Sequence, residues 1–316
     1  MRAIVVREFG GPEVLRAGEW REPEAGPGEV VVALAAVGVN PVDAYIRSGS
    51  YASLPDLPYV PGTDAAGTVR AVGPGAARLR VGDRVYVHAA GGAYAEAVAV
   101  PEARAWPLPA SVDFAQGAAV GVPYLTAHRA LFQVGRGAAG DWCLVHGASG
   151  GVGVAAVQMA VAAGLHVLAT ASTEAGRSRA LADGAEAAFG HEEGDAIRAA
   201  TGGRGLDLIV EMAAHQSLPV DLALLAPGGR VVVVGSRAPT EINPRALMQL
   251  EGSVTGVMLH RATDADREAS HLAIVAGLRV GALRPVVDRT LPLEDAHAAH
   301  EGVLRGGKVG KIVLLL

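Results

Sequence analysis

Val145-His146-Gly147-Ala148-Ser149-Gly150-Gly151-Val152-Gly153-Val154-Ala155, written VHGASGGVGVA, can be read in two registers. Residues 147–151 spell G-x-S-x-G, the turn that presents a nucleophilic serine in hydrolases. Shifted by one position, Ala148, Gly150 and Gly153 give a variant of the dinucleotide-binding loop. In the first register Ser149 is the reagent; in the second it is a phosphate contact.

The flanking sequence favours the second register. A dinucleotide loop needs a buried strand before it, glycines where the backbone approaches the pyrophosphate, and a helix whose N-terminus faces the anion. Leu144 and Val145 end an apolar run, Gly150 and Gly151 lack Cβ atoms, Gly153 permits close helix-strand packing, and VAAVQMAVAAG continues at helical spacing. A hydrolase triad in the order Ser, Asp, His is available on paper from Asp207 or Asp221 followed by His260, His297 or His300. A nucleophile turn, however, has no use for Gly153, nor for the long β-rich module upstream.

From Asp141 to Ser236 strand and helix patterns alternate, each crossover 10 to 15 residues long, which predicts a doubly wound parallel sheet. Upstream, EVVVALAAVGV, AGTVRAVG, DRVYVHA and YAEAVAVP are short β-type runs between Gly and Pro, predicting an antiparallel, barrel-like module. Beyond Val257 come a helix (TDADREASHLAIVAGL), a strand near 285–291, a helix over 293–304 and a closing apolar strand, KIVLLL. A strand-rich tail of that kind returns to the first module and makes that domain discontinuous.

Composition narrows the function classes. The 316 residues are 50% hydrophobic and 19% charged, with a net charge of -5, enough apolar surface for two cores and no basic excess for nucleic acid or an anionic membrane. The single cysteine, Cys143, excludes an internal disulfide and any multi-thiolate zinc site. A reducing, cytoplasmic setting follows, and MRAIVVREFGG has no charged-then-apolar leader pattern.

The end of the second strand selects between nucleotides. NAD is gripped there by a carboxylate on its ribose 2′-hydroxyl. This chain offers Ala171-Ser172-Thr173 followed by Arg177 and Arg179, which leaves room and positive charge for the 2′-phosphate of NADPH. His191, after the third strand, edges the same phosphate position.

The segments REFGGPEVL, GVNPVDAYIRSGSY, LPYVPGTDAAG, VGDRV, QGAAVGVPYLTAHRAL, VHGASGGVG, GGRVVVVGSRAPTEINPR and GKVGKIVLLL span the chain in order. Together they resemble the zinc-independent, zeta-crystallin-like quinone oxidoreductase branch of the medium-chain dehydrogenase/reductase superfamily. The resemblance implies a GroES-like β-rich catalytic domain (1–124 and 263–316) and a Rossmann cofactor domain (125–262). It also implies NADPH-dependent reduction of quinones in the cleft between them. Asn40 stands where zinc enzymes of the superfamily carry a cysteine ligand, and Thr63-Asp64 where they carry a His-Glu pair, so no metal is expected. A quinone is already a strong acceptor whose reduced form is a fairly acidic phenol, so the alkoxide stabilisation that zinc supplies to alcohol oxidation is not needed.

By the same resemblance Asn40 and Tyr45 lie beside nicotinamide and substrate, and Ser149, Gly150, Gly151 and Val152 cradle the pyrophosphate. Val234, Gly235, Ser236 and Arg237 run toward the nicotinamide ribose, while Val257, Met258 and Leu259 receive the carboxamide through the backbone. Ser172 and Ser217 stand at cofactor positions that other small or polar residues fill in the family. Asp43 and Asp64 are polar gates to the cleft, and no general base is assigned. A homodimer or homotetramer built on the sheet edge near residues 252–259 is implied. The competing readings are a reductase of enone or enoyl C=C bonds in the same superfamily and a nucleotide-bound structural or RNA-binding protein.

Overall fold

The structure is a computed structural model that describes residues 1–316. Strands β1 (Arg2–Val5) and β2 (Arg16–Glu19) pair antiparallel. The long strand β3 (Glu29–Val39) is built from the run EVVVALAAVGV, and its valines are buried because both faces are covered. Helix α1 (Pro41–Arg47) begins directly after it: Asn40 is extended, its amide donates to the Asp43 carboxylate at 2.8 Å, and Pro41 occupies the first helical position, where no N–H is needed. Strands β4 (Asp64–Val72), β5 (Arg84–His88), β6 (Ala97–Pro101) and β7 (Ala105–Pro107) extend the sheet, β4 and β6 both pairing with β3. Two short helices, α2 (Phe114–Ala118) and α3 (Gly121–His128), carry the chain out of this module, and α3 runs on into a single π turn over Arg129–Val134.

The middle of the chain alternates as its sequence predicts: β8 (Trp142–Val145), α4 (Gly151–Ala162), β9 (His166–Thr170), α5 (Glu174–Ala182), β10 (Ala187–Phe189), α6 (Gly194–Ala200), β11 (Leu206–Glu211), α7 (Ala214–Leu224), β12 (Leu225–Val233), α8 (Pro244–Leu250) and β13 (Ser253–Gly256). These six strands are all parallel, in the spatial order β10-β9-β8-β11-β12-β13. Strand order reverses between β8 and β11, and in open parallel sheets ligands bind at such a reversal, outside the carboxyl ends of the strands. The loop at residues 146–150 leaves β8 at that point. Strand β11, LDLIVE, is buried at every residue, as a central parallel strand covered on both faces must be.

The tail contains α9 (Asp264–Arg279), β14 (Val287–Pro292), α10 (Ala296–Leu304) and β15 (Lys311–Leu315). Strand β15 pairs antiparallel with β3, and β14 parallel with β15, so the last strands return to the N-terminal sheet. The antiparallel expectation for this module is modified at its edge. Helix α10 connects β14 to β15 as a crossover, and a crossover delivers a parallel neighbour. No helix is long and apolar enough to cross a membrane.

Two contacts join the tail to the loop after β8. Gly150 bridges Gly310, and the Gly310 amide donates to the Ser149 carbonyl at 2.7 Å. Within the loop, a Cβ on Gly153 would press into the Gly147 carbonyl and the Ala148 backbone, so the close approach of α4 to β8 depends on that glycine. Gly153→Ala is therefore expected to destabilise the protein by about 1–3 kcal/mol, read as a lower denaturation midpoint. An unchanged midpoint would show that the loop can shift to accept the methyl group.

Candidate functional site

The loop after β8 is shaped by its backbone. Gly147 is left-handed, with φ of 58°, the Ala148 amide donates to the Thr170 carbonyl at 2.9 Å, and Gly150 is the extended N-cap of α4. No side chain caps this helix, so its first amides, at Gly151, Val152 and Gly153, have no acceptor inside the helix. These amides point out of the helix at the place where the sheet reverses, the geometry that helix termini offer to anions. Ser149 is buried, and the triad of the hydrolase register is not assembled. His146 spends one ring nitrogen on Thr170 Oγ1 (2.8 Å) and the other on Asp221 (2.9 Å), His300 is bonded to Tyr94, and Asp207 is held by Arg204 and the Trp142 amide.

The remaining nucleotide candidates lie at the carboxyl ends of neighbouring strands. Ser172 is exposed just after β9, and Arg177 on α5 leans back to donate to the Ala171 carbonyl at 3.2 Å while pairing with the exposed Glu174 at 2.8 Å. Arg179 pairs instead with Asp183, one turn further along α5. His191 is exposed and its Nδ1 lies 3.0 Å from Thr170 Oγ1. Val234 and Gly235 hang from the Glu211 carbonyl through their amides, and Ser236 and Arg237 follow into solvent. Ser217 sits on the second turn of α7, and the Val257 amide donates to the Val233 carbonyl, which extends β13 toward Met258 and Leu259. Met258 is exposed and lies against the Tyr51 hydroxyl.

Asn40 and Tyr45 belong to the N-terminal module. Tyr45 is half-buried on α1, whereas Asn40 is buried and its amide is fully engaged. Its Nδ2 donates to Asp64 Oδ2 (2.9 Å) and Thr63 Oγ1 (3.3 Å), and its Oδ1 accepts from the Lys311 ammonium. The gating role read for Asp43 and Asp64 does not match their burial, since both carboxylates are sealed from solvent. Asp64 accepts from Asn40, from Lys311 at 2.9 Å and from the Val122 amide at 2.8 Å, with His88 Nδ1 at 3.3 Å. Burial by itself would raise this carboxyl, but the Lys311 ammonium, His88 and the Asn40 amide together lower it to about 2. Asp43 has no such cation in contact, and burial, with Asp64 adding repulsion, raises it to about 7. Tyr94 links Asp43 to His300.

A second buried polar group lies under the cofactor loop. Ligand atoms of His146, Glu211 and Asp221 fall within 4.8 Å of one another. Glu211 Oε2 and Asp221 Oδ2 have no hydrogen-bond donor facing them. Burial pushes the Glu211 carboxyl up to about 7, and Asp221 beside it adds to the rise. A proton held between the two carboxyls would pair both oxygens, in keeping with the upward shift of Glu211. The cavity of about 400 Å³ lined by Arg2, Leu291, Pro292 and Leu316 includes no residue of either cluster.

The chain that folds in this way has close counterparts among known proteins. The zinc-binding dehydrogenase family profile matches residues 151–274 and the alcohol dehydrogenase GroES-like domain profile residues 26–110. Human quinone oxidoreductase is 46% identical over 322 aligned residues, covering 100% of this chain and 98% of that protein. The chain belongs to the quinone oxidoreductase family. It is thus an oxidoreductase of the medium-chain dehydrogenase/reductase superfamily. Among solved structures, the Escherichia coli quinone oxidoreductase complexed with NADPH is similar with a TM-score of 0.88 at 30% identity, covering 100% of both chains. An NAD-dependent alcohol dehydrogenase is similar with a TM-score of 0.93 at 31% identity, again over 100% of both.

In this member of the quinone oxidoreductase family, the sequence reading missed Lys311, His88 and the His146, Glu211, Asp221 trio. Lys311 and Glu211 carry a legible signal, a charge at the end of an apolar strand, as in KIVLLL or LDLIVE, that is buried with the strand, whereas Asp221 sits within α7 and has no such signal. The pH dependence of the trio follows from its direction of shift. A neutral Glu211 favours the folded state below the ordinary glutamate value of about 4.3, and this contribution is lost as pH rises through about 7. Glu211→Gln, permanently neutral, should lose less thermal stability than the unmodified protein between pH 5 and pH 8. Melting curves across that range check this, and parallel profiles would show that Glu211 is already ionised in the folded protein.

Proposed function

We propose that this protein is an NADPH-dependent, zinc-independent quinone reductase, with its cleft between the loop after β8 and the wall formed by Asn40, Asp64 and Lys311. The observation that carries the zinc-independent part is the donor set. The carboxylate of Asp64 already faces four donors, the Asn40 carbonyl oxygen accepts from the Lys311 ammonium, and the chain's one cysteine, Cys143, is buried in β8. A divalent ion would have to displace an ammonium to bind there. The residues do fit a dinucleotide: an uncapped helix terminus for the pyrophosphate and no carboxylate at the end of β9.

When bound, NADPH supplies the hydride equivalent for reduction. Ser149, Gly150, Gly151 and Val152 bind its pyrophosphate through backbone amides and the serine hydroxyl. Arg177, Ser172 and His191 receive the 2′-phosphate, with Arg177 released from Glu174. Val234, Gly235, Ser236, Arg237 and Ser217 border the nicotinamide ribose, and Val257, Met258 and Leu259 orient the carboxamide. Asn40 and Tyr45 set the position of the nicotinamide face and of the flat acceptor, which is the main catalytic demand for a substrate this easily reduced. The proposal includes domain bounds at 1–124 with 263–316 and at 125–262, a cytoplasmic setting, and a homodimer or homotetramer.

Initial rates of NADPH and NADH oxidation with 9,10-phenanthrenequinone, 1,4-benzoquinone and a simple enone, with and without EDTA, test this reading. The expected result is quinone-dependent, EDTA-insensitive turnover that prefers NADPH. Turnover of the enone alone would move the substrate class to C=C reduction. Arg177→Ala is expected to raise the KM for NADPH by about tenfold, the equivalent of one charge-assisted hydrogen bond, while leaving that for NADH unchanged. Equal losses with both nucleotides would remove Arg177 from the 2′-phosphate site.

A further inference from the structure

Lys311 is buried, opens the last strand β15, and is the cation that meets both Asn40 and Asp64. The preceding residue, Gly310, is bonded to Ser149, so one short segment touches the cofactor loop and the opposite wall together. Space is reserved for this pair. A Cβ on Gly38 would collide with the Ala118 carbonyl and come within 2.9 Å of Lys311 Cε, and a Cβ on Gly121 would overlap the Asp64 carboxylate.

We propose that Lys311 is a positioning residue of the reaction, whose ammonium fixes the Asn40 amide in one orientation and so fixes the start of α1 that carries Tyr45. This rests on the reading of the cleft as the nicotinamide and quinone site. An asparagine amide turned by 180° has nearly the same shape, and only its hydrogen-bond partners choose between the two orientations. In the flipped state the NH2 group would face an ammonium and the carbonyl would face a carboxylate, so both contacts would become repulsive. The ammonium on one side and Asp64 on the other exclude that state.

Asn40 is also the N-cap of α1, with its backbone amide on Asp43, so its placement passes directly to Tyr45 one turn along the helix. In the superfamily's zinc enzymes the corresponding positions, by the resemblance, hold a metal. Here a lysine contributed by the returning tail supplies positive charge among the same residues. The groups facing Asp64 are Lys311 from β15, His88 from β5, Asp43 from α1 and Tyr94 from the segment before β6, and of these only Lys311 is a permanent cation in contact with it.

The test compares Lys311→Met, Lys311→Arg and the double variant Lys311→Met with Asp64→Asn, each followed by thermal melts and by kcat for quinone reduction from pH 5 to pH 8. Lys311→Met is expected to lower kcat by about 100-fold, the scale of an ångström-level misplacement. Without its cation the buried Asp64 carboxyl moves up toward neutrality, so the residual kcat of Lys311→Met rises with pH where that of the unmodified protein is flat. Lys311→Arg restores the charge and with it the flat profile and most of the turnover.

The double variant leaves neither partner of this pair charged, and so is expected to fold even if Lys311→Met does not. Its kcat should stay low and independent of pH, because nothing holds the Asn40 carbonyl. Unmodified kcat in the double variant, or in Lys311→Met with a flat profile, would overturn the proposal and leave Lys311 as a neutralising partner of Asp64. If the unmodified protein reduces no quinone, it is the functional reading that fails. The melts then still report on the pair: in Lys311→Met the carboxyl's higher value makes stability fall as pH rises across this range, and its absence would overturn the pairing.

Discussion

A buried lysine and a buried aspartate, Lys311 and Asp64, tie the last strand to the segments around Asn40. Removing two charges from water costs several kcal/mol for each ion, so such a pair persists only when its remaining hydrogen-bonding capacity is met. Here it is met by Asn40, the Val122 amide and His88, which come from the head of α1, from α3 and from β5. Breaking the pair at one end would cost about 3–5 kcal/mol, because the partner charge would be stranded. The same geometry explains why the tail must return to the first sheet: the cation needed beside Asp64 is on β15, whose residues pair with β3.

The cofactor side obeys a different constraint. The loop after β8 presents backbone, because Gly150 leaves α4 without a side-chain cap and because Gly153 lets that helix lie close to β8. Backbone amides do not titrate, so the shape and polarity of this loop do not depend on pH. The titratable groups lie beneath the loop, where His146, Glu211 and Asp221 cluster out of reach of solvent. A loop built from non-titrating backbone groups is thus supported by a core layer that contains titratable ones.

The ambiguity of VHGASGGVGVA shows how far local sequence reaches. Both registers require a strand, a tight turn and a helix, and the chain has all three. What separates them is the identity of the side chains that meet Ser149, and those arrive from distant segments. His146 lies three residues from the serine, yet it is turned to Thr170 and Asp221, so proximity in sequence gave no catalytic partner. Likewise Asn40 was legible as a site residue through its place in GVNPVDAYIRSG, but its partner 271 residues away was not.

The sequence by itself determined the alternation of strands and helices over residues 141–236, the glycine-lined turn, the missing acid after β9 and the want of thiolates for a metal. Each of these is a local property of residue type and spacing: hydrophobic period, Cβ-free positions, and an inventory of ligands. Tertiary structure alone decided which polar residues are sealed and which are open, turning Asp43 and Asp64 from presumed gates into interior groups and bringing Lys311, His88 and Glu211 into play. The physical reason is that the charge state and orientation of a buried side chain depend on every donor and acceptor packed around it. Those neighbours are set by strand order and by the return of the tail, which no local window contains.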